Sequence, residues 1–144
     1  MLLTLSIPIN KINEKNIIYK ECTKNKILTN STFCKLLYSN DFTTINGIPI
    51  YLEFITQSYN SKYKLFINKY ANSALIKDIT AIENKILQNY HCYKNPIYKI
   101  KDTIQKGVLK INTEYPISNK FIIKITGIWE TDIEYGLTYR MINF

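Results

Sequence analysis

Histidine occurs once in this 144-residue sequence, at position 91, and cysteine only three times, at 22, 34 and 92. A His/Cys metal cluster needs several ligands at short, matched spacings, and His91 beside Cys92 offers two neighbours with no others in register. Neither a metal nor a cofactor is expected. Three scattered cysteines are too few for a disulfide framework, so free thiols in a reducing compartment are the expectation. Glycine and proline number four each. That scarcity leaves no G-x-x-x-x-G-K-[ST] phosphate loop, no G-x-G-x-x-G and no Pro/Gly-rich linker. A single domain over 1–144 is expected, a length that one core can serve. Every apolar stretch falls short of the roughly 18 residues that a membrane helix needs, so no membrane partner is expected. MLLTLSIPINK has a short apolar run with no basic segment before it. It does not read as a secretory signal, which points to an intracellular protein.

Acidic residues are also in short supply. Eleven Asp and Glu face nineteen Lys and Arg, for a formal net charge of +8. A basic surface suits polyanions such as nucleic acid. A coding bias toward A and T would supply the same abundance of Ile, Asn, Lys and Tyr, so charge alone does not name a ligand. The acids form no catalytic pattern. Asp78 and Glu83 stand among Lys77 and Lys85 on a helix pattern, where surface ion pairing is the expectation. Glu130, Asp132 and Glu134 flank a turn and read as solvated. The chain is not expected to be an enzyme.

What is abundant is apolar residues, 46% of the chain, and twelve tyrosines. Strands are expected at 17–22, 26–28 and 33–38. The first sixteen residues read as a partly flexible arm. Asn46-Gly47 between apolar segments is a type I′ hairpin signal, followed by a strand over 50–56. In the next strand alternation puts Lys62, Lys64 and Phe66 on one face and Tyr63, Leu65 and Ile67 on the other. The spacing of Leu75, Ile79, Ile82, Ile86 and Tyr90 predicts one long helix over 73–90, capped by Asn72 or Ser73, with Ile79, Ile82 and Ile86 buried. Strands at 97–101 and 108–113 and a closing hairpin of 120–129 with 135–143 complete the order. Mostly β with one long helix is the expected class. Its architecture is an oligonucleotide-binding (OB)-like, partly open barrel, with an α+β sandwich as the rival.

On the hairpin, alternation gives Phe121, Ile123, Ile125, Gly127 and Trp129 a common face, with Tyr135, Leu137, Tyr139 and Met141 sharing one on the return. The stretch FIIKITGIWETDIEYGLTYRMINF resembles the C-terminal ends of small single-stranded-DNA-binding proteins of large DNA viruses. The matched positions are Gly127, Ile128, Trp129, Glu130 and Thr131, then Gly136, Leu137, Thr138, Tyr139 and Arg140. The resemblance implies an OB fold, a role in viral DNA replication, and a site of action in the host nucleus or a cytoplasmic replication site.

Single-strand sites combine cations for the phosphates with aromatic faces for the bases. The candidate phosphate contacts are Lys62, Lys64, Lys99, Lys101, Lys124 and Arg140, with Tyr63, Phe66 and Tyr98 as stacking candidates. Tyr59 belongs to the same aromatic cluster. The expected function is non-catalytic, largely sequence-independent binding of single-stranded DNA, with RNA as the second candidate ligand. The alternative is a viral structural or scaffolding protein whose tyrosines line a protein interface, which a homo-oligomer would also use.

Overall fold

The computed structural model describes residues 5–24, 30–55 and 62–144. The expected strand at 26–28 and Tyr59 lie outside them. The chain is mostly β, built on a mixed sheet that does not close into a barrel. Its centre is β9 (Lys120–Glu130), paired along one edge with β10 (Glu134–Asn143) as the expected closing hairpin. The other edge of β9 is divided. Residues 120–125 pair with β5 (Ile48–Glu53), and residues 127–130 pair with β3 (Thr32–Ser39). The two partners part at Thr126, which is also an extra residue in the β9–β10 ladder: Thr138 faces Gly127, whereas Tyr139 faces Ile125.

That bulge corrects the face assignment. Phe121, Ile123 and Ile125 face the core, but past Thr126 the alternation is reversed, so Ile128 enters the core and Trp129 points to the opposite side. The other strand has no extra residue, and Tyr135, Leu137, Tyr139 and Met141 keep a common face.

Asn46-Gly47 is likewise a kink and not a hairpin turn. β4 (Thr44–Asn46) pairs with β3, and the turn that joins them is 40–43, where the Asn40 side chain accepts from the backbone N–H of Phe42 and Thr43. At Gly47 the chain leaves β3 and passes to β9. Its φ is +78°, and a Cβ there would lie 2.9 Å from the Ile125 carbonyl oxygen.

β2 (Ile17–Lys24) pairs with β3. Ahead of it, β1 (Ile7–Pro8) lies parallel to β5, so this part of the expected loose arm is attached to the sheet. A separate ribbon joins β6 (Lys64–Phe66) to a later strand, β8 (Val108–Lys110). Leu65 and Ile67 are buried as expected, but Tyr63 has a left-handed backbone and an exposed ring, so it leaves the alternation.

The long helix α1 (Ser73–Asn89) forms where the apolar spacing places it. Ile79, Ile86 and Leu87 are buried, while Ile82 is only half-buried. Glu83 takes the inward position instead. The Asn72 side chain does not cap α1; it holds both backbone groups of Ile55 and the carbonyl of Asn68. A second helix stands where a strand was expected over 97–101. β7 (Asn95–Ile97) runs parallel to the start of β10, and α2 (Lys99–Gln105) follows it directly. Ile100 and Ile104, one turn apart, are the buried residues of α2.

Candidate functional site

A groove of about 1480 Å³ is lined by residues of the main sheet and of the α2–β8 region. Its lining comes from β4, Pro49 of β5, Lys64 of β6, α2, β8, β9, β10 and Phe144. β7 covers β10 only over residues 134–136, and among the described residues that edge of β10 has no strand partner beyond them.

Five cations line the groove: Lys64, Lys106, Lys110, Lys124 and Arg140. No lining residue is acidic, and none of the five has an ion-pair partner among the described residues. Their placement is costly to the fold. Lys64 and Lys110 are direct partners across the β6–β8 ribbon, and Lys124 and Arg140 are direct partners across β9–β10. Like charges opposite one another on antiparallel strands repel and destabilise the pair. Two such pairs bordering one cavity concentrate positive potential there, and an anion would relieve it.

Exposed aromatic surface is present in the lining and beside it in sequence. Phe144 lines it and is 46% exposed. Phe42 is 95% exposed in the 40–43 turn, next to the lining residues Thr43 and Thr44. Tyr139 also lines the cavity, but its hydroxyl is bound to Thr103 Oγ1 at 3.1 Å, and burial raises its pKa.

Of the residues named from sequence, Lys64, Lys124 and Arg140 meet in this groove, and the others are elsewhere. Lys62 pairs with Glu114 at 2.9 Å. Phe66 is half-buried on β6, and Tyr63 lies outside the lining. Tyr98 packs against the core with its hydroxyl 3.2 Å from Asn84 Oδ1. Lys99 places its ammonium 4.7 Å from the centre of the Trp129 ring. Lys101 sits in the first turn of α2, outside the lining. Lys106, Lys110, Phe42 and Phe144 were missed. Their gathering depends on which strands pair, which no local window shows.

Two carboxylates expected at the surface hold structure together. Glu83 is fully buried and accepts the backbone N–H of Ile100 at 2.9 Å and of Lys101 at 3.0 Å. It thereby occupies free donors at the start of α2, the helix that brings Ile100, Thr103 and Ile104 to the groove. Burial raises the Glu83 pKa, while those two N–H groups pull it down. Glu130 is only partly exposed. Lys94 Nζ lies 2.7 Å from its Oε2, and the Tyr90 hydroxyl donates to its Oε1 at 2.8 Å. The bond from Lys94 holds the Glu130 carboxyl below the usual range.

Trp129 is only 7% exposed although it stands outside the main core. Its strand neighbour Gly136 explains this. A Cβ on Gly136 would come within 2.8 Å of the indole, so the bare backbone gives the ring space to lie on the sheet. Phe33 uses Gly127 in the same way. The indole Nε1 is buried without a hydrogen-bond partner among the described residues.

Among the described residues no helix is long and apolar enough to cross a membrane, and no cluster of His, Cys, Asp and Glu is arranged to hold a metal. No family model, curated protein or solved structure matches the chain, so the chemistry of the groove itself is what bears on function.

Proposed function

We propose that this protein binds single-stranded nucleic acid, DNA first, without catalysis and with little dependence on sequence. The observation that carries the reading is the pair of like-charge cross-strand contacts, Lys64 with Lys110 and Lys124 with Arg140, bordering a groove whose lining includes no Asp or Glu among the described residues. A phosphate backbone in the groove would turn both repulsions into attractions. Lysine, a mobile point charge, suits a backbone track that ignores sequence. Phe42 and Phe144 provide faces on which unpaired bases can stack, a contact that a duplex cannot make. The bent sheet, in which β3 and β5 share one edge of β9, supports an opened OB-like reading. The likeness of Gly127–Arg140 to viral single-strand binders supports the same function.

The test is titration of labelled oligo-dT and a matched duplex at several salt concentrations. Each neutralised phosphate on a single strand contributes about −0.7 to the log–log salt slope, so four or five contacts give about −3 to −3.5. Lys124→Ala with Arg140→Ala should flatten that slope by about 1.4. Lys101→Ala, outside the groove, should leave it unchanged. Phe42→Ala and Phe144→Ala should each weaken binding by about 1–3 kcal/mol if a base stacks there. Equal or weaker affinity for the single strand than for the duplex would defeat this reading and favour a structural or scaffolding role.

A further inference from the structure

The three cysteines are far apart in sequence, yet their sulfurs gather on one hydrogen-bond network. Cys22 and Cys34 are cross-strand partners on β2 and β3 and form a disulfide. The Tyr90 hydroxyl oxygen lies 3.1 Å from Cys22 Sγ and 3.0 Å from Cys34 Sγ. The same hydroxyl donates to Glu130 Oε1, and the Cys92 thiol approaches that oxygen at 3.8 Å. Lys94 holds the other carboxylate oxygen at 2.7 Å. The expectation of free thiols thus holds for Cys92 alone.

The proton count around Tyr90 is informative. Its hydroxyl has one proton, and that proton is given to Glu130. A disulfide sulfur has none. The Tyr90 lone pairs therefore face two sulfurs that cannot donate. Once the disulfide is reduced, an S–H from Cys34 or Cys22 can donate to the same oxygen without moving it. Access is one-sided: Cys34 is fully buried, whereas Cys22 is exposed on β2.

We propose that Cys22 and Cys34 form a reversible thiol–disulfide site, opened at Cys22 by a dithiol reductant and held in its reduced form by Tyr90. A reductant thiolate attacks Cys22 Sγ and the Cys22–Cys34 bond breaks. Cys34 leaves as a thiolate and takes up a proton, so that it can donate to the Tyr90 oxygen. The second thiolate of the reductant then attacks its own sulfur in the mixed disulfide and releases Cys22, which is protonated in turn. Two electrons and two protons pass to the protein, and the reductant leaves as a disulfide. Cys92 remains a thiol throughout. This site is separate from the groove and does not depend on nucleic-acid binding.

The experiment equilibrates the native full-length chain in anaerobic mixtures of reduced and oxidised dithiothreitol, quenches with an alkylating agent and maps the labelled cysteines by mass spectrometry. Cys92 should label in every mixture. Cys22 and Cys34 should label together, only on the reducing side, and lose label again on reoxidation. Tyr90→Phe should shift the equilibrium toward the disulfide by about 2- to 10-fold, the loss of one thiol hydrogen bond. The proposal is overturned if the pair resists reduction until the chain is denatured, or if both sulfurs label in the most oxidising mixture. An unshifted equilibrium in folded Tyr90→Phe overturns the part given to Tyr90. Should that variant not fold, the wild-type titration alone decides reversibility.

Discussion

A single inserted residue decides where Trp129 goes. Strict alternation assigns the ring to the face of Phe121, Ile123 and Ile125, and Thr126 reverses the assignment. Nothing in KITGIW marks Thr126 as the extra residue, because the bulge is visible only once β9 is set against β10. The local sign is the pair of glycines, Gly127 and Gly136, since glycine within a strand marks a bulge, a bend or a close approach. Their role is also to seat Phe33 and Trp129 on bare backbone. Trp129→Ala would leave the hollow over Gly136 empty and should cost about 3–5 kcal/mol of stability. Trp129→Phe should cost much less, since it keeps a flat ring and removes an indole N–H that has no partner among the described residues. Denaturant melts of the two variants separate these outcomes. Equal losses would show that the indole is held by something other than its packing. Oligonucleotide affinity should change in neither folded variant, because Trp129 is outside the groove lining.

At the scale of elements, α1 and the closing hairpin were legible because each repeats its pattern long enough to be unambiguous. Seventeen residues of helical spacing fit no strand. By contrast α2 has seven residues, and over 97–101 its sequence fits a period of two as well as one of 3.6. The contact that favours the helix comes from Glu83, far away in the chain, so no local window contains it. Glu83→Ala would leave the N–H groups of Ile100 and Lys101 without acceptors and should cost about 2–5 kcal/mol. The pH dependence has a definite sign. The folded state holds the Glu83 proton more tightly than the unfolded chain does, because burial raises its pKa. Its contribution to stability is therefore fully present below the ordinary carboxylate range and declines as pH rises through the raised value. Wild type should lose stability relative to Glu83→Gln over that interval, measured as unfolding midpoints from acid to neutral pH. A wild-type advantage that grows with pH would contradict the assignment. Because α2 lines the groove, Glu83→Ala should also weaken oligonucleotide binding, and Lys101→Glu, on the same helix but outside the lining, should have the smaller effect.

For the molecule as a whole, the distribution of charge matters more than its sum. The net charge of +8 was visible at once and pointed to polyanions without locating them. Lys62 and Lys94, equally basic in sequence, are bound to Glu114 and Glu130. Five cations line one groove, four of them where β6 meets β8 and β9 meets β10, and the β6–β8 pairing joins residues distant in the chain. A groove kept at the expense of two repulsive pairs makes a prediction about stability as well as binding. Lys110→Thr removes one repulsion and keeps a residue suited to a strand. Its melting temperature should therefore exceed that of wild type by about 1–3 °C at low ionic strength. The gain should shrink as salt screens the wild-type pair, since the Debye length falls to about 8 Å at 0.15 M. The same substitution should weaken oligo-dT binding and flatten its salt slope by about 0.7. Saturating oligo-dT should reverse the order of the two melting temperatures, because the ligand stabilises whichever folded state binds it more tightly. Replacing Lys62, whose charge is already neutralised by Glu114, should neither raise stability nor lower affinity. If Lys110→Thr melts lower than wild type at low salt and binds oligo-dT equally well, then the cross-strand cations serve the fold and the groove has lost its claim to a polyanion.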